Sequence, residues 1–318
     1  MKNKKLKILL IGAGRFGCQH LRILKDFEKR DFINLVGVVV KTKETAKKIK
    51  KDFRIRTFTR FPNSLLKKID AVDIVTPAST HFELCRKCLK FTNVFIEKPL
   101  TLKTIEAEKI VKIANKNKKI LVVGHIFRFN AAVAKIAEIV SKNFQKLYFI
   151  EGKFTGESIP PPDCGAIFED LHLFDILDFI FKKEPISIYA VTSNPIRPKS
   201  QFEDEAKIIV NYDNFSAFLQ VGWVGLEKNR SLNLYFTDME VHSNLLAQNL
   251  VIKKEGQKTK ILNLRQVEPL KIELANFVNS LNNKVKPYPD GKIGARIVKI
   301  AEHALKSAVK NQIINYSK

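Results

Sequence analysis

No stretch of this 318-residue chain approaches the about 18 consecutive apolar residues that a membrane-spanning helix requires, so no such helix is expected. Cysteine is scarce as well: four residues are too few to make a disulfide framework in a chain of this length. Cys85 and Cys88 form C-x-x-C, but they fall inside a helical stretch, "HFELCRKCLKF", with no second ligand pair. That placement points to a buried helix face rather than zinc or redox chemistry. A reducing, cytoplasmic compartment fits, and with no clustered ligand set no metal is expected. Acidic residues are few against basic ones, 32 to 56, which leaves a formal net charge of +24. Excess charge alone supports only non-specific association with nucleic acid. The lysine runs "KTKETAKKIKKDFR" and "NKNKK" fall on polar helix faces or in turns, and no nucleic-acid motif accompanies them. A basic surface would still attract a phosphorylated substrate. The basic head and short apolar run of "MKNKKLKILLIGAG" suit a secretory leader, but Arg15 interrupts the apolar segment and no small-residue cleavage site follows.

With 45% hydrophobic residues, the chain can bury cores in about two domains of the usual ~100–200 residues. In "KILLIGAGRFGCQH" an apolar run breaks into Gly12, Gly14 and Gly17, spaced G-x-G-x-x-G. A glycine turn alone is weak, yet Lys7 to Ile11 reads as a buried strand and "RFGCQHLRILKDF" has apolar residues at helical spacing. Strand, glycine turn and helix are the order of a dinucleotide site. Gly12 permits the tight turn, Gly14 lets the backbone approach a pyrophosphate, and Gly17 packs the helix close to the strand. The helix N-terminus then favours an anion.

The first third alternates "LKILLIG", "NLVGVVV", "AVDIVT", "NVFIEK" and "ILVVGH" with helical patterns, which predicts an α/β fold with a doubly wound parallel sheet, a Rossmann domain over 1–124. Beyond it, "KLYFIEGKF", "ISIYAVTS", "EAKIIVNY", "FSAFLQVGW" and "SLNLYF" read as strands, several joined by short turns such as "YDNF". Helices are expected over "FEDLHLFDILDFIF" and "EPLKIELANFVNSL". Residues 125–318 should form a substrate-binding α/β domain with a mostly antiparallel open sheet and helices on one face.

"GAGRFGCQHLR", "IVTPASTHFELC", "FIEKPLTLKTIEAEKIV" and "VGHIFRFN" occur in the order and spacing of the glucose–fructose oxidoreductase, inositol dehydrogenase and rhizopine-catabolism (Gfo/Idh/MocA) family. The resemblance continues to "EPLKIELANF" and "DGKIGARIVKIAEHALKSA" and covers nearly the whole chain. It implies an oxidoreductase, often oligomeric through its second sheet as a dimer or tetramer, that transfers hydride between a nicotinamide and a sugar or cyclitol carbon. Glu97-Lys98-Pro99 resembles the family's E-K-P tripeptide, whose lysine reaches the reacting hydroxyl. An ammonium there steadies the alkoxide that develops as hydride leaves carbon. "DCGAIFEDLHLFDIL" is similar to the family's G-x-x-x-D-x-x-x-H-x-x-D stretch: Gly165 puts Glu169 at the aspartate position, and His172 and Asp175 keep H-x-x-D. The gap from Glu169 to His172 is one residue short. His172 suits a general base; Glu169, three residues earlier, should share its helix face and orient the imidazole, while Asp170 points away.

Cofactor contacts implied by the resemblance come from Gly12, Gly14, Arg15, Phe16, Gly17, Lys41, Thr42, Thr76, Pro77, Ser79, His81, Glu97, Lys98 and His125. After the second strand an NAD enzyme carries an acid for the ribose 2′-OH; here Val40 stands in that place, followed by Lys41 and Thr42, which predicts NADP preferred over NAD. The second-domain segments look most like the subgroup of UDP-N-acetylglucosamine 3-dehydrogenases. Arg128 and Asn130 would line the sugar beside Lys98, Glu169 and His172, with Lys228 or Arg230 as candidates for the diphosphate. Two alternatives stay open: a dehydrogenase of a free sugar or inositol, and a dinucleotide-binding sensor without catalysis, the latter motivated by the shortened gap.

Overall fold

A computed structural model of the chain describes residues 5–61, 63–157 and 159–316; most of the basic head, residues 1–4, lies outside them. The chain divides into two units, one of residues 1–124 with Leu270–Arg296 and the other of His125–Pro269 with Ile297–Lys318. Among the described residues no helix is long and apolar enough to cross a membrane.

The first unit opens with β1 (Leu6–Ile11), whose last four residues are buried, and α1 (Arg15–Lys29). The helix buries Gly17, His20, Leu21, Leu24 and Phe27, the stripe that a 3.6-residue period lays along one face. There follow β2 (Ile33–Val39), α2 (Lys43–Phe53), β3 (Thr57–Phe58), β4 (Ala71–Ile74), α3 (His81–Cys88), β5 (Asn93–Glu97), α4 (Thr104–Lys116) and β6 (Leu121–Gly124). The six strands pair in parallel in the order β3-β2-β1-β4-β5-β6. This is the doubly wound sheet expected, with its topological switch between β1 and β4. In α2 only Ala46 and Ile49 are buried, so its lysines are solvated as a polar face should be. Cys85 and Cys88 are buried in α3, and burial pushes both thiols up, Cys88 to about 12. Thiolate chemistry is disfavoured there.

The second unit contains α5 (Ala131–Asn143), β7 (Leu147–Thr155), α6 (Ala166–Glu169), α7 (His172–Phe181), β8 (Ser187–Ser193), β9 (Glu205–Asn211), β10 (Ser216–Gly222), β11 (Asn229–Phe236), β12 (Met239–Asn244), β13 (Asn249–Lys254) and β14 (Lys260–Asn263). The chain then runs through α8 (Pro269–Leu281) and α9 (Gly291–Lys310) to β15 (Ile314–Asn315). Among the described residues nine strands form one open sheet, β14-β13-β12-β11-β7-β10-β9-β8-β15, in which only β7 and β10 pair in parallel.

Two expectations change. A single boundary after residue 124 does not describe the chain, because Leu270–Arg296 returns to the first unit. There Phe277 meets Phe95 at 5.5 Å between ring centroids, Lys271 bonds Asp26 at 2.8 Å, and Val123 N–H donates to Pro289 O at 3.0 Å. Gly294 packs so tightly on β6 that an added Cβ would lie 2.6 Å from Val123. The helix expected over "FEDLHLFDILDFIF" is also two helices, interrupted at Asp170 and Leu171.

Candidate active site

The glycine turn stands at the C-terminal end of β1, beside the end of β2, whose Val39 carbonyl accepts from Gly12 N–H at 2.9 Å. Gly12 has φ +100° and a Cβ there would collide with the Val75 carbonyl, so only glycine makes this turn without strain. A Cβ on Gly17 would lie 2.6 Å from Gly12 O, the close helix–turn packing expected. At Gly14 a Cβ would meet nothing within 4 Å, and no side chain caps α1. Open space against uncapped N–H groups suits a pyrophosphate. Gly14, Arg15 and Phe16 are exposed, as are Lys41, Thr42, Pro77 and Ser79; Thr76 is half-buried. Thr42 caps α2, its hydroxyl accepting from Thr45 N–H at 3.1 Å, while Val40 is buried where a ribose-binding acid would stand.

Glu97 and His81, expected at the cofactor, are instead turned into the interior. His20 of α1 is fully buried, with Nδ1 2.9 Å from Asp73 Oδ2 and Nε2 3.2 Å from Glu97 Oε1. Burial opposes a charged imidazole, but the Asp73 and Glu97 carboxylates outweigh it and raise the pKa to about 10. Glu97 Oε2 accepts from Lys98 N–H at 3.2 Å, and its carboxylate occupies the space that a Cβ on Gly124 would fill. His81 is also fully buried, Nε2 lying 2.8 Å from Thr76 O and Nδ1 2.6 Å from Pro99 O. Lys98 itself is half-buried at the end of β5, between these two anchors. His20 and Asp73 were legible in principle, since an ionisable residue on an apolar helix stripe or in a buried strand must find a charged partner.

In the second unit Gly165 begins α6, where a Cβ would collide with the Glu203 carboxylate. That carboxylate accepts from Ile167 N–H at 3.0 Å, and its burial raises its pKa. The helix breaks after Glu169, so Glu169 and His172 lie on separate helices rather than on one helix face. Asp170 and not Glu169 is buried, and its Oδ1 lies 3.6 Å from Arg230 Nη2. The Arg230 guanidinium, half-buried, sits 5.0 Å over the Phe154 ring and donates to Thr155 O. His172 is buried between Phe127 and Phe154, with ring centroids at 5.0 and 5.9 Å. Aromatic walls fix the imidazole plane. Lys228 is exposed.

Arg128 and Asn130 also do other work than lining a sugar. Arg128 is buried and bridges α7, its Nε donating to Asp175 Oδ1 at 2.7 Å and Nη2 to Asp178 Oδ2 at 2.6 Å. Asn130 caps α5, its Oδ1 accepting from Ala132 and Val133 N–H while Nδ2 donates to Leu245 O. His125, expected at the cofactor, is buried with Nδ1 3.5 Å from Asp175 Oδ1.

The first unit, with its glycine turn at the switch point of a parallel sheet, is an NAD-binding Rossmann fold. Residues 6–125 match the Gfo/Idh/MocA family, described as oxidoreductase family, NAD-binding Rossmann fold. A UDP-N-acetylglucosamine 3-dehydrogenase of Acidithiobacillus ferrooxidans is 26% identical over 305 residues, 92% of this chain and 94% of that protein. The scyllo-inositol 2-dehydrogenase (NAD(+)) of Bacillus subtilis (strain 168) is 26% identical over 226 residues, 67% of this chain and 66% of its own. The solved structure of the Acidithiobacillus enzyme is similar with a TM-score of 0.84 at 25% identity, over 96% of this chain and 98% of that one. A levoglucosan dehydrogenase in complex with NADH and levoglucosan shares the fold, with a TM-score of 0.85 at 16% identity, over 99% and 100% of the two chains.

Proposed function

We propose that the protein is a nicotinamide-dependent dehydrogenase that oxidises a hydroxyl-bearing sugar carbon, C3 of a UDP-N-acetylhexosamine, with NADP(H) preferred to NAD(H). The observation that carries the substrate is similarity along 92% of the chain to an enzyme named for that reaction. When bound, the nicotinamide supplies the acceptor for the hydride that leaves C3. Gly12, Gly14 and Gly17 shape the turn for the pyrophosphate, with Arg15 and Phe16 at its exposed rim and Thr76, Pro77 and Ser79 after β4. Lys41 and Thr42 meet the 2′-phosphate, where a carboxylate would repel it.

His172 takes the proton of the reacting hydroxyl, its ring held by Phe127 and Phe154. The Lys98 ammonium stabilises the oxygen as negative charge develops on it. Asp170, drawn inward with Arg230, replaces Glu169 as the acidic residue tied to the Phe154 wall of His172.

A panel of UDP-sugars, free hexoses and inositols, read by nicotinamide absorbance, tests the substrate. Oxidation of UDP-N-acetylglucosamine is expected; turnover of myo-inositol or glucose with none of any nucleotide sugar would overturn it in favour of a cyclitol or hexose dehydrogenase, a reading that the Bacillus relative supports. Fluorescence titration with NADPH and NADH tests the cofactor, and equal affinities would refute the preference. Single-turnover reduction of bound NADP+ separates an enzyme from a sensor.

A further inference from the structure

The tripeptide Glu97-Lys98-Pro99 is gripped from both sides by buried histidines of other elements. On the N-terminal side His20 reaches from α1, bonded to Asp73 in the middle of β4 and 3.2 Å from Glu97. Glu97 in turn receives the Lys98 backbone N–H, so the chain α1–β4–β5 is linked through side chains to the backbone of Lys98. On the C-terminal side His81, the first residue of α3, spans from Thr76 O to Pro99 O. Neither imidazole is accessible: both residues are 0% exposed. Gly124 completes the arrangement, because any side chain there would displace the Glu97 carboxylate. Phe16 and Phe95 close over His20 edge-on at 5.1 and 5.8 Å.

A buried carboxylate–imidazole–carboxylate array is costly to assemble, and burying so many polar groups without function would waste stability that an apolar core supplies more cheaply. What the array does hold is geometry. Lys98 carries a flexible four-carbon stem, so the placement of its ammonium depends on how firmly its own backbone is fixed. We propose that His20 and His81 are positioning residues that clamp the backbone on either side of Lys98 and thereby aim its ammonium at the reacting oxygen. The proposal rests on the reading of Lys98 as the oxyanion-stabilising group. His20 and His81 touch neither substrate nor reacting atoms.

Two measurements on the full chain test this. Competitive acetylation read residue by residue by mass spectrometry reports the Lys98 amine without substrate or turnover. In His20→Gln and His81→Gln its labelling rate should change by about threefold or more, while Lys47 and Lys48 on α2 stay as in the parent. In turnover of whichever sugar the panel identifies, each variant should lower kcat by about 10- to 100-fold, the range that a misplaced catalytic group produces, with NADPH affinity by fluorescence within about twofold. In a Lys98→Ala background the same substitutions should have no further effect on kcat, because their effect passes through Lys98. Unchanged Lys98 labelling in folded His20→Gln or His81→Gln protein overturns the clamp, as does a loss of kcat that multiplies with that of Lys98→Ala. If Lys98→Ala alone leaves turnover intact, the catalytic assignment of Lys98 is what fails, and the labelling result still judges the clamp. The two histidines sit on separate elements, so a variant that does not fold leaves the other to decide.

Discussion

Replacing Arg128 by Met separates a substrate-binding arginine from a structural one. The guanidinium is 3% exposed and holds two carboxylates, Asp175 at 0% and Asp178 at 3%, at 2.7 and 2.6 Å. Met fills much of the same volume without charge, so the substitution leaves two buried carboxylates on one face of α7, three residues apart, facing a thioether. Breaking a buried ion pair from one side costs about 3–5 kcal/mol, because the remaining charge stays desolvated and loses its arginine. Asp175 and Asp178 share that arginine, so the upper half of the range is expected. Urea unfolding followed by circular dichroism measures it. Arg128→Met/Asp175→Asn should recover about half of the loss, since one neutral amide then replaces one of the two carboxylates. A folded Arg128→Met protein within about 0.5 kcal/mol of the parent, with a raised KM for the sugar, would refute this reasoning and return Arg128 to the substrate.

His20 makes stability depend on pH. Its folded-state pKa, about 10, exceeds the ordinary 6.5, so its contribution is complete below pH 6.5 and fades as pH rises through 10. The difference corresponds to about 5 kcal/mol, so the stability gap between the parent and His20→Gln should narrow across that window in urea titrations at a series of pH values; a constant gap counts against a charged imidazole. Gly12→Ala forces a side chain into the Val75 carbonyl at φ +100° and should cost about 1–3 kcal/mol and most of the NADPH affinity, read by thermal unfolding and fluorescence titration. His172→Ala and Lys98→Ala should each lower kcat by about two orders of magnitude or more with NADPH affinity nearly unchanged; near-normal turnover in either removes that residue from the mechanism.

The dinucleotide half was written locally. Gly12, Gly14 and Gly17 act through their own backbones and immediate neighbours, so their spacing between a strand and an amphipathic helix declared the turn and the sheet. The alternation of apolar runs with helical patterns likewise declared a parallel sheet, because each strand needs a helix to return the chain. Cys85 and Cys88 declared themselves as core through helical spacing alone. Long-range burial decided the rest. Asp170 and Glu169 are adjacent and chemically alike, yet Asp170 is the buried one, with Arg230 of β11, sixty residues along the chain, 3.6 Å away. Arg128 and Asn130 had the chemistry of a sugar site, yet Asp175, Asp178 and the Leu245 carbonyl claimed them. Leu270–Arg296 returned to the first unit because Phe95 and the edge of β6 needed cover, a demand that no local pattern in that segment expresses. Charged and polar side chains are placed by partners distant in sequence, since a buried charge is tolerable only where another is brought to it, whereas glycine turns and apolar periodicities carry their meaning within a few residues.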